Sequence, residues 1–219
     1  MRNLSPDTPR TSADTGENLA VEVDYDYGSL RYPKRERHIF EAHSKTEIGV
    51  SARTSGEAEV EIRLGGDRGS TVRLKSKTEI VGLGISDDGK TLAIADYQEV
   101  RFYTVDPEAQ TIVPGKTFAP YNFVDRLLAP IDEFHEPRII TNFALNRDGT
   151  KAAVGHQNKW DRISSVRPGY GIVRLIDVAR GKQIDEIIVA DTPSYLEFSD
   201  DGVSLSIDVR ERPSVTRAV

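Results

Sequence analysis

The chain has 219 residues, of which 37% are hydrophobic and 29% charged, enough to bury a real core in one domain with tails. A formal net charge of −6 argues against broad adhesion to nucleic acid or anionic membrane, and the absence of cysteine excludes a disulfide scaffold and thiolate metal sites. No apolar run approaches the roughly 18–20 residues of a helical membrane span, and Met1-Arg2-Asn3-Leu4-Ser5-Pro6 lacks the apolar segment of a secretory signal, so a cytoplasmic location is expected.

Residues 1 to 18 are rich in Ser, Thr, Asp and Pro and read as a disordered tail, leaving 19 to 219 as the folded domain. Leu19-Ala20-Val21-Glu22-Val23-Asp24-Tyr25 alternates as a strand does. From residue 38 strand follows strand: 38 to 42, 48 to 52, 58 to 64 and 71 to 75 come first, and 58 to 64 alternates strictly, as near a sheet edge. Next come 80 to 86, 91 to 96, 99 to 105 and 110 to 113, then 139 to 146, 151 to 155, 171 to 178 and 184 to 189. A further series begins at 194 and stops after 214 to 219. Three of these series open with an apolar-rich run closed by polar-X-Asp-Gly, at Ser86-Asp87-Asp88-Gly89, Asn146-Arg147-Asp148-Gly149 and Ser199-Asp200-Asp201-Gly202. Asp-Gly between two short apolar runs is a hairpin signal, because the turn needs a positive φ that glycine adopts without steric cost. Short strands at even spacing in units of four predict an all-β propeller of four-stranded antiparallel blades.

Val173-Arg174-Leu175-Ile176-Asp177-Val178 resembles the third strand of a WD repeat, with Ile176 where that family has Trp and with the Asp of its dipeptide retained as Asp177. Val100-Arg101-Phe102-Tyr103-Thr104-Val105 resembles the same strand, and the Ser-X-Asp-Gly turns resemble the family's first hairpin. The match covers roughly residues 80 to 210 and implies a WD-like propeller. Such propellers usually carry seven blades of about 40 residues, whereas this sequence supplies three blades and part of a fourth. The resemblance therefore implies a short or incomplete propeller of about four blades. It either closes with Leu19, Val21 and Val23 as the missing outer strand beside 215 to 219, or stays an open arc, or closes with another chain.

Two insertions carry the functional expectation. In WD-type blades the blade-to-blade loops and the loops between second and third strands share one face. The first insertion, 118 to 138, holds Tyr121, Phe123, Arg126 and Phe134, and the second, 157 to 170, holds Lys159, the single Trp160, Arg162, Arg167 and Tyr170. Long loops on a rigid scaffold collect binding residues, and Trp, Tyr and Arg dominate hot spots. Phe123, Leu127 and Leu128 also fit a packing role that pins the insertion to the scaffold. The expected function is a non-catalytic protein-interaction platform without cofactor or metal. A propeller hydrolase or lactonase, or a degenerate piece of a longer propeller, are the alternatives.

The remaining motifs are weak. His38 and His43 alternate to opposite faces of a strand, and His135-Glu136 has no evident third ligand. Gly115-Lys116-Thr117 resembles the tail of a phosphate loop, but Gln110 stands where the first glycine belongs. Asp88-Gly89 and Asp201-Gly202 lack the alternating ligands of a calcium loop, and no Gly-X-Ser-X-Gly elbow is present.

Overall fold

The computed structural model describes residues 39–46, 49–56, 58–66, 69–120, 140–157, 171–209 and 214–219. These form strands in four antiparallel sheets. The first blade is β1 (Glu41–His43), β2 (Val50–Gly56), β3 (Glu59–Leu64) and β4 (Ser70–Lys75). The second is β5 (Ile80–Ile85), β6 (Thr91–Asp96), β7 (Val100–Asp106) and β8 (Thr111–Phe118), and the third is β9 (Ile140–Leu145), β10 (Lys151–Gln157), β11 (Gly171–Asp177) and β12 (Lys182–Val189). β13 (Pro193–Phe198), β14 (Ser204–Val209) and β15 (Val215–Ala218) make the fourth. Within every sheet spatial order follows chain order, so each blade is a meander. Three blades and part of a fourth is the count expected from the sequence. Strand limits differ: β1 starts at Glu41 rather than 38, and β8 runs on from 113 to Phe118. Gly115-Lys116-Thr117 is therefore strand. The alternating segment β3 lies one position inside the edge, which is β4. The segment with Leu19, Val21 and Val23 lies outside the described residues, as does the tail at 1 to 18. Among the described residues β15 is the edge of its sheet.

The Asp-Gly hairpins form one device three times. Gly89, Gly149 and Gly202 have φ of 71°, 71° and 67°, the left-handed region the turn demands. In the first, Ser86 Oγ accepts from the Thr91 N–H (2.9 Å) and donates to Asp88 Oδ1 (2.6 Å), which also accepts from the Lys90 N–H (3.0 Å). Ser199 and Asp201 repeat this with Ser204 and Val203, and Asn146 replaces the serine in the third blade, accepting from the Lys151 N–H at 2.8 Å. The first blade carries a variant without Asp-Gly, in which Ser44 Oγ accepts from the Val50 N–H (2.8 Å). Burial pushes the Asp88 and Asp148 carboxyls up, but hydrogen bonds from Ser86 and Lys90, and from Thr150, outweigh it and hold both below the usual carboxylate value. Asp201 is held low first by the Ser199 hydroxyl.

Consecutive hairpins nest. A Cβ on Gly149 would lie 2.6 Å from Thr91 Oγ1 and 2.9 Å from Ser86 Cβ, and one on Gly89 would lie 3.3 Å from Ser44 Cβ. The Lys45 N–H donates to Asp87 O (3.0 Å) and the Asp87 N–H to Arg147 O (2.7 Å). Lys45 Nζ pairs with Asp87 (3.1 Å), and Arg147 pairs with Asp200.

Apolar packing lies between blades. Val60, Ile62 and Leu64 meet Leu83, Leu92 and Ile94 at the first interface. At the second, Phe102 and Phe118 meet Phe143, Val154 and Ile176. At the third, Val173 and Leu175 meet Leu196, Leu205 and Ile207. Burying one such aliphatic side chain contributes about 1.5–3 kcal/mol. First strands pack in the series β1–β5–β9–β13, and its two ends share no comparable contact among the described residues. Among the described residues, four blades with three apolar interfaces make an open arc.

Both end faces are polar. On the first blade Glu41, Arg53, Glu61 and Arg73 lie side by side across four strands, with Arg53–Glu41 at 3.0 Å and Glu61 held by Arg63 and Arg73, each at 3.4 Å. On the fourth, β14 turns Leu205, Ile207 and Val209 inward and leaves Ser204, Ser206 and Asp208 on the free side.

Candidate functional site

The end of the arc opposite the Asp-Gly hairpins carries the blade-to-blade crossings and the turns between second and third strands. Here β6 ends at Asp96, whose side chain is fully buried. Its Oδ1 accepts from the Gln98 N–H (2.8 Å) and the Glu99 N–H (2.9 Å), which fixes the turn into β7. Its Oδ2 accepts from Ser76 Oγ at 2.5 Å, and Ser76 sits on the crossing from the first blade. Arg101 Nη1 donates to Lys75 O (2.8 Å) and Nη2 to Ser76 Oγ (2.6 Å), with Asp96 Oδ2 at 3.8 Å and Glu99 Oε1 at 3.7 Å. A buried carboxylate and a guanidinium thus hold the incoming chain. A buried charge persists only when paired and hydrogen-bonded in this way. Tyr97 Oη donates to Glu79 (2.9 Å), and Tyr97 O accepts from the Ile140 N–H (3.0 Å), which joins this turn to the start of the third blade.

The third blade repeats the guanidinium clamp at the equivalent strand position. Arg174 is 8% exposed and donates from Nη1 to Pro120 O (3.1 Å) and from Nε to Glu186 (3.1 Å). It therefore holds the chain where the first insertion leaves β8. The first insertion rejoins the sheet at Ile140, which pairs with His156. The second leaves β10 at Gln157, which pairs with Gly171. The first insertion thus departs from β8 of the second blade and returns at β9, and its returning stem and both stems of the second insertion lie on adjacent strands at one end of the third blade. Their base is rigid: Ile140, His156 and Ile172 are buried neighbours across three strands. A Cβ on Gly171 would collide with Asp191 O and Pro193 Cδ, so the crossing to the fourth blade lies directly on this stem. Asn142 Nδ2 donates to Ser194 O (2.6 Å) beside it.

The residues expected to bind, Tyr121, Phe123, Arg126, Phe134, Lys159, Trp160, Arg162, Arg167 and Tyr170, lie outside the described residues, as do Leu127, Leu128, His135 and Glu136. The sequence reading missed the groups beneath them: Asp96, Ser76, Arg101, Arg174 and His156. Asp96-Tyr97-Gln98 at a strand end is the signal of an Asx turn, and the Val-Arg pair at the start of β7 and in the middle of β11 marks the two clamps. Among the described residues no group of three or more His, Asp or Glu is placed to hold a metal ion.

No protein-family model matches the chain, and no curated protein matches it in sequence. Among solved structures it is similar to the β-propeller domain of Cps50 (Swd1) from Myceliophteria thermophila, with a TM-score of 0.56 and 12% identity over 81% of this chain and 51% of that one. The fold is a β-propeller, as the strand pattern implied. The chain spans about half the length of that propeller domain.

Proposed function

We propose that this chain is a non-catalytic propeller arc that serves as a protein-interaction platform, binding through the insertions at 118–138 and 157–170. The observation that carries the reading is the convergence of three of the four insertion stems: the return of the first and both ends of the second lie on adjacent strands of the third blade over a buried base, and Arg174 of that blade clamps the departing stem at Pro120. A scaffold of this kind holds loops at fixed stems, so their aromatic groups dock a partner at reduced ordering cost while arginines set its orientation. Self-association, or a partner that completes the propeller, belongs to the same reading, since among the described residues two blade faces have no other blade against them. A cytoplasmic location is part of the proposal.

The test is retention of a partner from native lysate by the full chain and by Trp160→Ala and Arg162→Ala. Both substitutions are expected to weaken retention at least tenfold and to shift the melting temperature by less than about 2 °C, since surface substitutions stay within about ±0.5 kcal/mol. Unfolding of Trp160→Ala, or undiminished retention by both variants, would overturn the assignment of the binding face.

A further inference from the structure

The two end faces of the arc differ in charge and in relief. On the first blade Arg53, Arg63, Arg73 and Lys75 outnumber the acids Glu41, Glu59 and Glu61 beside them, and Glu61 alone serves two guanidinium groups. On the fourth blade Glu197 and Asp208 have no basic partner among the described residues. Around Glu197, Ser204, Ser206, Thr216 and Ala218 are short and leave room for long side chains from the other face, while the exposed Tyr195 stands across from Asp208 at one end. Neither face has the apolar character of the three interfaces inside the arc, so neither completes a hydrophobic core with a further blade of the same kind.

We infer that the basic-rich end face of one copy binds the acidic end face of a second copy, so that two arcs close into a ring of eight blades through two equivalent contacts. This rests on the arc underlying the proposed function, not on its insertion loops. Size favours the ring. The smaller, fourth face has strands of six, six and four residues, which at about 3.3 Å per residue and about 4.8 Å between strands give an end face of roughly 250 Å². One contact then buries about 500 Å² in total, the range of incidental contacts, whereas two bury about 1,000 Å², the lower bound of a specific interface. A head-to-tail contact of this kind forms a ring when its rotation closes and a filament when it does not. Eight blades lie within the range propellers adopt. The interface is built from ion pairs and hydroxyl groups, with guanidinium–carboxylate pairs at Glu197 and Asp208, so salt weakens it.

Sedimentation velocity of the full chain tests this. In about 50 mM salt the expected mass is twice 24.3 kDa, falling to the single-chain mass in about 1 M salt, where screening acts within about 3 Å. Glu197→Arg with Asp208→Arg makes both ends basic, and Arg53→Glu with Arg63→Glu makes both acidic. Each double variant is expected to be monomeric with an unchanged β-sheet spectrum, and an equimolar mixture is expected to restore a dimer. A wild-type monomer in low salt, a dimer that survives either reversal, a filament, or a mixture that stays monomeric would overturn the inference. None of the four substitutions touches the insertions. Monomeric variants that still retain the lysate partner separate failure here from failure of the interaction-platform reading.

Discussion

Gly149 and Gly202 share a turn, a sequence pattern and a positive φ, yet they differ in what surrounds them. Alanine at either position incurs the left-handed backbone cost of about 1–2 kcal/mol. At Gly149 the new methyl also lands 2.6–2.7 Å from Thr91, whereas at Gly202 its nearest neighbour is Asn146 Nδ2 at 3.4 Å. Gly149→Ala is therefore expected to destabilise more than Gly202→Ala in urea titrations, and equal losses would show that the nesting of hairpins adds nothing. Asp96→Ala leaves two turn N–H groups and the Ser76 hydroxyl without their acceptor and removes the carboxylate facing Arg101, and a loss of about 3–5 kcal/mol is expected. Asp96→Asn keeps an acceptor and is expected to lose less. The hairpin aspartates make a pH prediction. Their folded pKa values lie below the ordinary one, so acid protonates the unfolded chain first. Their contribution is full at neutral pH and is lost as pH falls from about 3.9 through the folded values. In Asp148→Asn the urea midpoint is expected to fall less steeply with acid than in wild type, and parallel slopes would refute the assignment. The turn glycines were legible because one dipeptide encodes them. The roles of Arg101 and Arg174 were not, because each clamps a backbone carbonyl far upstream that no local pattern announces.

At the scale of elements, β5 and β9 approach so closely that a Cβ on Gly82 would sit 2.7 Å from Phe143 Cβ, and one on Gly84 would sit 2.6 Å from Leu145 Cβ. These glycines lack positive φ, so their conservation of space is a packing matter. Gly84→Ala is expected to separate the two inner strands and lower the melting temperature by several degrees, with β6 and β7 retaining their spectrum, since ~1 kcal/mol shifts a domain of this size by about 2–4 °C. An unchanged melting temperature would mean that the inner strands repack at no cost. Strand existence and order were readable from alternation and turns, because side-chain period and hairpin chemistry are local. Strand ends were less so: β8 continues through Pro114 and Gly115, residues that disfavour strands in isolation but are tolerated on an outer edge. The insertions were visible as interruptions of the repeat. Their neighbouring stems follow from the pairing of β10 with both β9 and β11, which is a long-range property.

At the scale of the molecule, the inner blades bury apolar residues on two faces and the end blades on one. In an array whose stability is a sum of units and nearest-neighbour interfaces, end units open first. Amide exchange in about 1 M salt, where end-to-end contacts are screened, is therefore expected to be slowest in β6, β7, β10 and β11 and faster in β3 and β14. Uniform protection would show instead that the arc opens only as a whole. The polar side of the first blade was legible in the strict alternation of Glu59-Val60-Glu61-Ile62-Arg63-Leu64. That the wet side is the end of an arc depends on how blades stack, which the alternation of one strand does not contain.

The second position of each hairpin reads Lys45, Asp87, Arg147 and Asp200 in successive blades, and the sign of charge reverses at every step. Any one such pair at the surface contributes only about 0–1 kcal/mol. The pattern nevertheless gives this rim a period of two blades where the backbone has a period of one. Loss of a single inner blade would bring like charges together, Asp87 against Asp200 or Lys45 against Arg147, whereas gain or loss of blades in pairs would preserve the sequence of signs. The chain is in this sense parity-coded: it can grow or shrink by even steps without rewriting its rim, and an even number of blades is the only count at which such a rim closes without a mismatch.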